Sequence, residues 1–281
     1  MILLTLAAVL LVQAETPTGA EVRSLSVSVV DAKGAPVTGL ARDDVAVLEN
    51  GVAREVTSVE PDTVPLVVAV LVDTSQEIGS SYRLHVVDAV TTLLSHLPQG
   101  TRFTLWTTGD RPTKLTDLGD DVGAATQALK HTVTSGGNTL MDALVESTRD
   151  LKKQEGSRSV VVVVTGTTTN FSNRDRLVGR PEAVKNADLF LSVQYGDGAA
   201  DLDARNDYGY VLDTLARKSG GIHEMPLTVM GLPASMQKVA AELRRYRVSY
   251  ATLPEIKSRK IEVQVARPGV KVRVAPHQPS S

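Results

Sequence analysis

The chain contains no cysteine, which removes disulfides, thiolate zinc sites and cysteine nucleophiles at once. Aromatic residues are scarce, 4% of the total, too few for a sugar platform or a base-stacking surface. Neither sign of charge is in excess: Lys+Arg 30 against Asp+Glu 32 leaves a formal charge of -2. With no basic run interleaved with aromatics, nothing suggests a nucleic-acid partner. The apolar run at the start, Ile2 to Val12, is too short to span a bilayer as a helix.

That run is nevertheless informative. "MILLTLAAVLLVQAETPTGA" reads as an export signal, residues 1–14, with Val12-Gln13-Ala14 small enough at both ends for cleavage after Ala14. The only positive charge ahead of it is the terminal amine. No cysteine follows, so a lipid anchor on cysteine is excluded. The protein is expected in the periplasm or outside the cell; without disulfides it stands on its core alone, which suits a bacterial periplasm. At 281 residues, 42% of them hydrophobic, there is material for one large or two modest domains.

Three segments differ in pattern. Residues 20–61 alternate apolar and polar side chains, as at Leu25, Val27 and Val29, and again at Val45 and Val47, then Val56 and Val59. Asn50-Gly51 between the last two pairs is a strong hairpin signal. Residues 62–245 alternate buried strands with helices. "PLVVAVLVD" and "RSVVVVVTG" are continuous apolar strands, and "YRLHVVDAVTTLLSHL" places Leu84, Val87, Val90 and Leu94 at helical spacing. Gly220-Gly221 closes a later helix. Residues 246–276 return to alternation, with Pro268-Gly269 marking a hairpin. The pattern predicts an α/β fold with a mostly parallel sheet covered on both faces. An antiparallel β module built from both ends of the chain brackets it, since neither end alone has enough strands.

Ligands of open parallel sheets sit at the carboxyl ends of the strands. Asp73 ends the first buried strand in "VDTSQE", Thr165-Gly166 end the valine strand, and the Gly-rich loop "SGGNTLMDAL" carries Thr139. This constellation resembles a von Willebrand factor type A domain. The chain after the signal, with "VVDAKGAPVTGLARDDVAVLENG" before it and "LARKSGG" through "VKVRV" behind it, is similar to acidobacterial von Willebrand factor A-related proteins. The resemblance implies a Rossmann-like fold and a metal-ion-dependent adhesion site. In that site Asp73 and Ser75 match the first two positions of a D-x-S-x-S motif, and Thr139 matches the threonine of a second loop. Two positions depart: Glu77 stands where a serine is expected, and Thr165 where a later aspartate is expected. An ion held there would be Mg²⁺ or Mn²⁺, with a carboxylate from an unknown protein partner completing its shell. The implied function is binding, not catalysis; a metal-independent scaffold is the alternative within that class.

Catalytic readings are poorer. Ser75 does not lie in a G-x-S-x-G elbow, and His85, His96, His131 and His223 read as surface or packed residues, so a hydrolase triad has little support. "TSGGNT" lacks the lysine of a phosphate loop, and no G-x-G-x-x-G occurs. Lys152-Lys153 and Arg244-Arg245 read as solvated helix faces.

Overall fold

The structure, a computed structural model, describes residues 21–174, 183, 185–196, 202–253 and 259–275. The expected leader, residues 1–14 with its cleavage point after Ala14, lies outside them, as do residue 20 at the head of the N-terminal segment and residue 276 at the end of the C-terminal one. Among the described residues no helix is long and apolar enough to cross a membrane.

A six-stranded sheet forms the centre. Its strands are β5 (Leu66–Val72), β6 (Arg102–Thr107), β7 (Thr113–Lys114), β8 (Arg158–Gly166), β9 (Leu189–Tyr195) and β10 (His223–Glu224), in the order β10-β9-β8-β5-β6-β7. All neighbours are parallel except the β6–β7 pair. The continuous apolar runs follow from burial on both faces. Along β5, Leu66, Val68, Val70 and Val72 face one core, shared with helices α1 (Val87–His96) and α5 (Leu232–Glu242). Val67, Ala69 and Leu71 face the other, under α3 (Leu140–Leu151) and α4 (Leu202–Ser219). A further helix, α2 (Val122–His131), packs beside α1.

Ahead of α1 the helical spacing slips. Residues Tyr82–Val86 form one π turn, whose extra residue per turn rotates the following face. Leu84, expected inward, is 73% exposed, and Tyr82 and Val86 are buried in its place.

Both chain ends do meet in antiparallel structure, as two sheets and not one. β1 (Glu21–Val30), β4 (Val56–Pro61), β11 (Arg245–Thr252) and β13 (Lys271–Ala275) form a sheet ordered β13-β1-β11-β4. β2 (Val45–Glu49), β3 (Val52–Arg54) and β12 (Ile261–Val265) form another, ordered β12-β2-β3. Asn50 and Gly51 both have positive φ, 53° and 81°, as a two-residue hairpin turn of the primed type requires. That hairpin joins β2 to the short β3; the strand holding Val56 and Val59 crosses to the other sheet and pairs with β11. Pro268-Gly269 likewise links β12 and β13 in different sheets. In both cases the turn residues show where the chain reverses, but the partner is chosen by the core of Leu25, Val27, Val47 and Val248 between the sheets.

The two parts are joined at Arg245, read from sequence as solvated but only 4% exposed. Its guanidinium donates to the carbonyls of Glu242 (3.1 Å), Ser26 (3.2 Å) and Gly220 (2.5 Å). Arg244 beside it is exposed, as are Lys152 and Lys153. Gly220 follows α4 with φ of 70°, and a Cβ there would lie 2.2 Å from the carbonyl oxygen of Val274. The glycine therefore ends the helix and lets β13 approach.

One titration is built into this architecture. His223 on β10 shares a hydrogen bond between its Nδ1 and Ser192 Oγ at 2.8 Å, and its Nε2 is buried without a partner. Burial holds its imidazole below the usual histidine value, against the pull of Asp213 and Glu224. The unfolded chain then binds that proton more readily. The contribution to stability is complete above about pH 6.5 and is lost as pH falls through the lower folded value. Thermal melts between about pH 7.5 and 5 are expected to show a smaller acid loss in His223→Gln than in the wild type.

Candidate functional site

The chain leaves β5 to β6 on one side and reaches β8 on the other, so the crevice beyond β5 and β8 is the switch point of the sheet. Four segments meet there. Asp73 follows β5 and donates its N–H to the carbonyl of Val164 in β8 at 2.9 Å. Thr74 receives the N–H of Gly109 on its hydroxyl at 3.0 Å and that of Ser135 on its carbonyl at 2.9 Å. The loop before α3 is tied to residue 110 by Asp110 N–H to Gly137 carbonyl (2.8 Å), and to the segment after β8 by Phe171 N–H to Asn138 carbonyl (2.8 Å).

At the centre lies the Asp73 carboxylate, 1% exposed. Oδ1 accepts the N–H of Ser75 at 2.8 Å. Oδ2 is surrounded by donors: Asn138 Nδ2 at 2.9 Å, Thr165 Oγ1 at 3.1 Å, Gly166 N at 3.1 Å and Thr168 Oγ1 at 3.2 Å. Asn138, fully buried, also sets Nδ2 3.0 Å from Thr165 Oγ1 and 2.9 Å from Thr168 Oγ1. Its Oδ1 accepts from the Thr108 hydroxyl at 2.7 Å. A buried carboxylate is costly unless fully hydrogen-bonded, and here the protein supplies every bond.

Of the residues singled out from sequence, the fold brings Asp73, Ser75 and Thr165 to the crevice. Thr139 is adjacent but turned away. Its hydroxyl and its N–H both go to the Thr108 carbonyl, at 2.8 and 2.7 Å. The side chain that this loop presents to Asp73 is its neighbour, Asn138. Glu77 is exposed, and its carboxylate accepts from the N–H of Thr169 at 3.2 and 3.3 Å, at the rim and not at the centre. Sequence reasoning also missed Thr168 and Asp142. Asp142, 3% exposed in the first turn of α3, accepts from the N–H groups of Asn173 (2.8 Å) and Arg174 (3.2 Å) and pairs with the Arg174 guanidinium at 2.9 Å. It thereby fixes the segment after β8. An aspartate in the first turn behind a Gly-rich loop was the available signal, and the hydroxyl run Thr167-Thr168-Thr169 was the other.

The set does not fit a divalent metal of the kind the resemblance implies. Mg²⁺ needs hard, preferably anionic oxygens around it. Among the described residues only the Asp73 carboxylate reaches the centre; its Oδ2 lies within reach of four donors, and one of these is an amide nitrogen, which has no lone pair to give. No cluster of three or more His, Asp or Glu suited to a metal occurs among the described residues. The Ser75 hydroxyl is buried without a partner, but neutral hydroxyls beside a single carboxylate already engaged by the chain do not supply the charge a dication needs. Among the described residues, the Ser75 hydroxyl is not hydrogen-bonded to a base. His96 and His223 are engaged elsewhere, at Thr92 O and Ser192 Oγ, both at 2.8 Å.

Residues 68–168 match the von Willebrand factor type A domain family. Among solved structures, the chain aligns with the von Willebrand factor type A protein of Catenulispora acidiphila at a TM-score of 0.55 and 10% identity, covering 91% of this chain and 73% of that one. Proximal thread matrix protein 1 of the mussel byssus aligns at 0.54 and 17% identity, covering 67% of this chain and 48% of that one. The same mussel protein with a zinc-occupied MIDAS motif aligns at 0.53 and 17% identity, covering 69% and 50%. This chain thus spans about half the length of the mussel protein. At these identities the likeness is one of fold. No curated protein matches.

Proposed function

We propose, on the premise that residues 68–168 carry a von Willebrand factor type A domain, that the protein is an exported, non-enzymatic module that binds another protein through the carboxyl edge of its central sheet. The metal site of that edge is degenerate. The observation that carries the reading is a pair of exposed apolar side chains, Phe171 and Leu227, at a lip whose polar groups are used internally. Phe171 is 60% exposed, and a Cβ on Gly137 would lie 2.0 Å from its ring, so the ring rests on the backbone beside Asn138. A cleft of about 540 Å³ lined by Glu77, Ile78, Thr168, Tyr195 and Leu227 opens at the same edge, with Leu227 96% exposed. An exposed aromatic next to a cleft is a costly arrangement for water and a common anchor at protein interfaces. Export rests on the apolar run from Ile2 to Val12 and the small residues after it.

The test is site-specific photo-cross-linking in cells that export the full chain. A photoreactive phenylalanine at position 171 is expected to give discrete protein adducts, and one at position 52, exposed on the antiparallel module, none. Adducts from position 52 alone, or from neither, would remove the edge as the binding face. The exported chain is expected to begin at Glu15; an intact N-terminus in the cytosolic fraction would remove export.

A further inference from the structure

We infer that the side-chain amide of Asn138 takes the place of the metal ion, so that the lip is assembled without any divalent cation and closed to one. A cation at such a site does structural work: it draws the ends of two strands and an intervening loop together by attracting their oxygens. Here the Nδ2 group does that work. It lies within 2.9 Å of Asp73 Oδ2 after β5, 3.0 Å of Thr165 Oγ1 in β8 and 2.9 Å of Thr168 Oγ1 beyond β8, and it belongs to the loop before α3. Three oxygens from two strand ends thus converge on one electropositive group carried by a third segment. The group is covalently part of the chain, so it cannot be chelated, exchanged or diluted away.

The orientation of the amide is fixed by its neighbours. Oδ1 accepts from Thr108 Oγ1 at 2.7 Å. Turned over, the side chain would set that oxygen against the Asp73 carboxylate with no proton between them, a repulsion that a bound cation or protonation of the carboxyl would have to relieve. The two orientations therefore make opposite predictions for metal. A consequence reaches the partner as well: a protein that docks on this lip is not held by a carboxylate bridged to a metal, and its contacts are direct ones to the rim. This inference concerns how the lip is built. The cross-linking described above succeeds or fails regardless of it.

Three proteins decide it, each the exported chain from residue 15 onward: wild type, Asn138→Ala and Asn138→Asp. Each is melted in EDTA and in millimolar Mg²⁺ or Mn²⁺, and the wild type is also titrated with both ions by calorimetry. The wild-type midpoint is expected to be the same in all conditions, and the titration to show no saturable heat. Asn138→Ala is expected to melt about 5–10 °C lower, because the carboxylate loses its central donor. Asn138→Asp faces two carboxylates across the same gap, and Mn²⁺ is expected to raise its midpoint. Saturable binding of either ion to the wild type overturns the inference, as does an Asn138→Ala protein that melts with the wild type. An Asn138→Asp protein indifferent to Mn²⁺ overturns the claim that the amide holds the position of the cation. Should either variant fail to fold, the wild-type titration still decides.

Discussion

Replacing Asp73 with alanine is expected to lower the unfolding free energy by about 3–5 kcal/mol. The carboxylate is 1% exposed and accepts from Ser75, Asn138, Thr165, Gly166 and Thr168. Its removal leaves two backbone N–H groups, two hydroxyls and an amide without their acceptor in a site shut off from water. Each orphaned buried group costs on the order of 1–3 kcal/mol, and some regain partners by relaxation or by admitting water, so the sum is not additive. Urea melts with a common slope measure it. The loss is expected to be equal in EDTA and in Mg²⁺, which separates a hydrogen-bonded network from a metal ligand. A change below about 1 kcal/mol would mean that the network contributes little and that Asp73 is free for another task.

Arg245→Ala is expected to cost a similar amount, about 3–5 kcal/mol, at the opposite end of the molecule. The guanidinium is buried between the central sheet domain and the antiparallel module, and burial brings it down to about 10 from its usual value. It remains protonated at neutral pH. Three carbonyls on three segments converge on it: Glu242 at the end of α5, Ser26 in β1 and Gly220 after α4. Glu242, only 2% exposed, sits alongside, paired with Arg273 and with the Ser28 hydroxyl at 2.6 Å. Without the arginine, three carbonyl oxygens lose a charged donor and Glu242 loses part of the positive field around it. Arg245→Lys is expected to recover little, because an ammonium cannot reproduce the planar fork that spans three acceptors. Denaturant melts followed by amide exchange in β1 and β11 check both statements. A loss confined to exchange in those strands, with the central sheet unchanged, would show that the module opens without unfolding the rest.

Much of this was legible from the residues in order. Continuous apolar runs at 66–72 and 158–166 became the two central strands, because a strand covered by helices on both faces has no polar face to alternate. Asn50-Gly51 made its turn because few other pairs adopt positive φ twice. The crevice itself was legible too, since parallel strands interleaved with helices put their loops at one edge. What failed were the choices between neighbours. Thr139 and Asn138 are adjacent and both polar; which one faces Asp73 depends on where the first turn of α3 starts, and that is set by the Thr108 carbonyl, 31 residues away in the chain. Leu84 fell out of the core through one π turn. Arg245 looked like one of a solvated pair because nothing local records that Gly220 and Ser26 will lie against it.

The sequence by itself determined the layers, the strand ends and the absence of thiol chemistry, for these follow from composition and from periodicities of 2 and 3.6 residues. Only the tertiary structure decided what holds the crevice together. Hydrogen bonding to a buried carboxylate is a matter of fractions of an ångström among groups far apart in the chain, and periodicity carries no information at that scale. The amide of one asparagine, unremarkable in the sequence, became the centre of the site because three strand-end oxygens arrived around it.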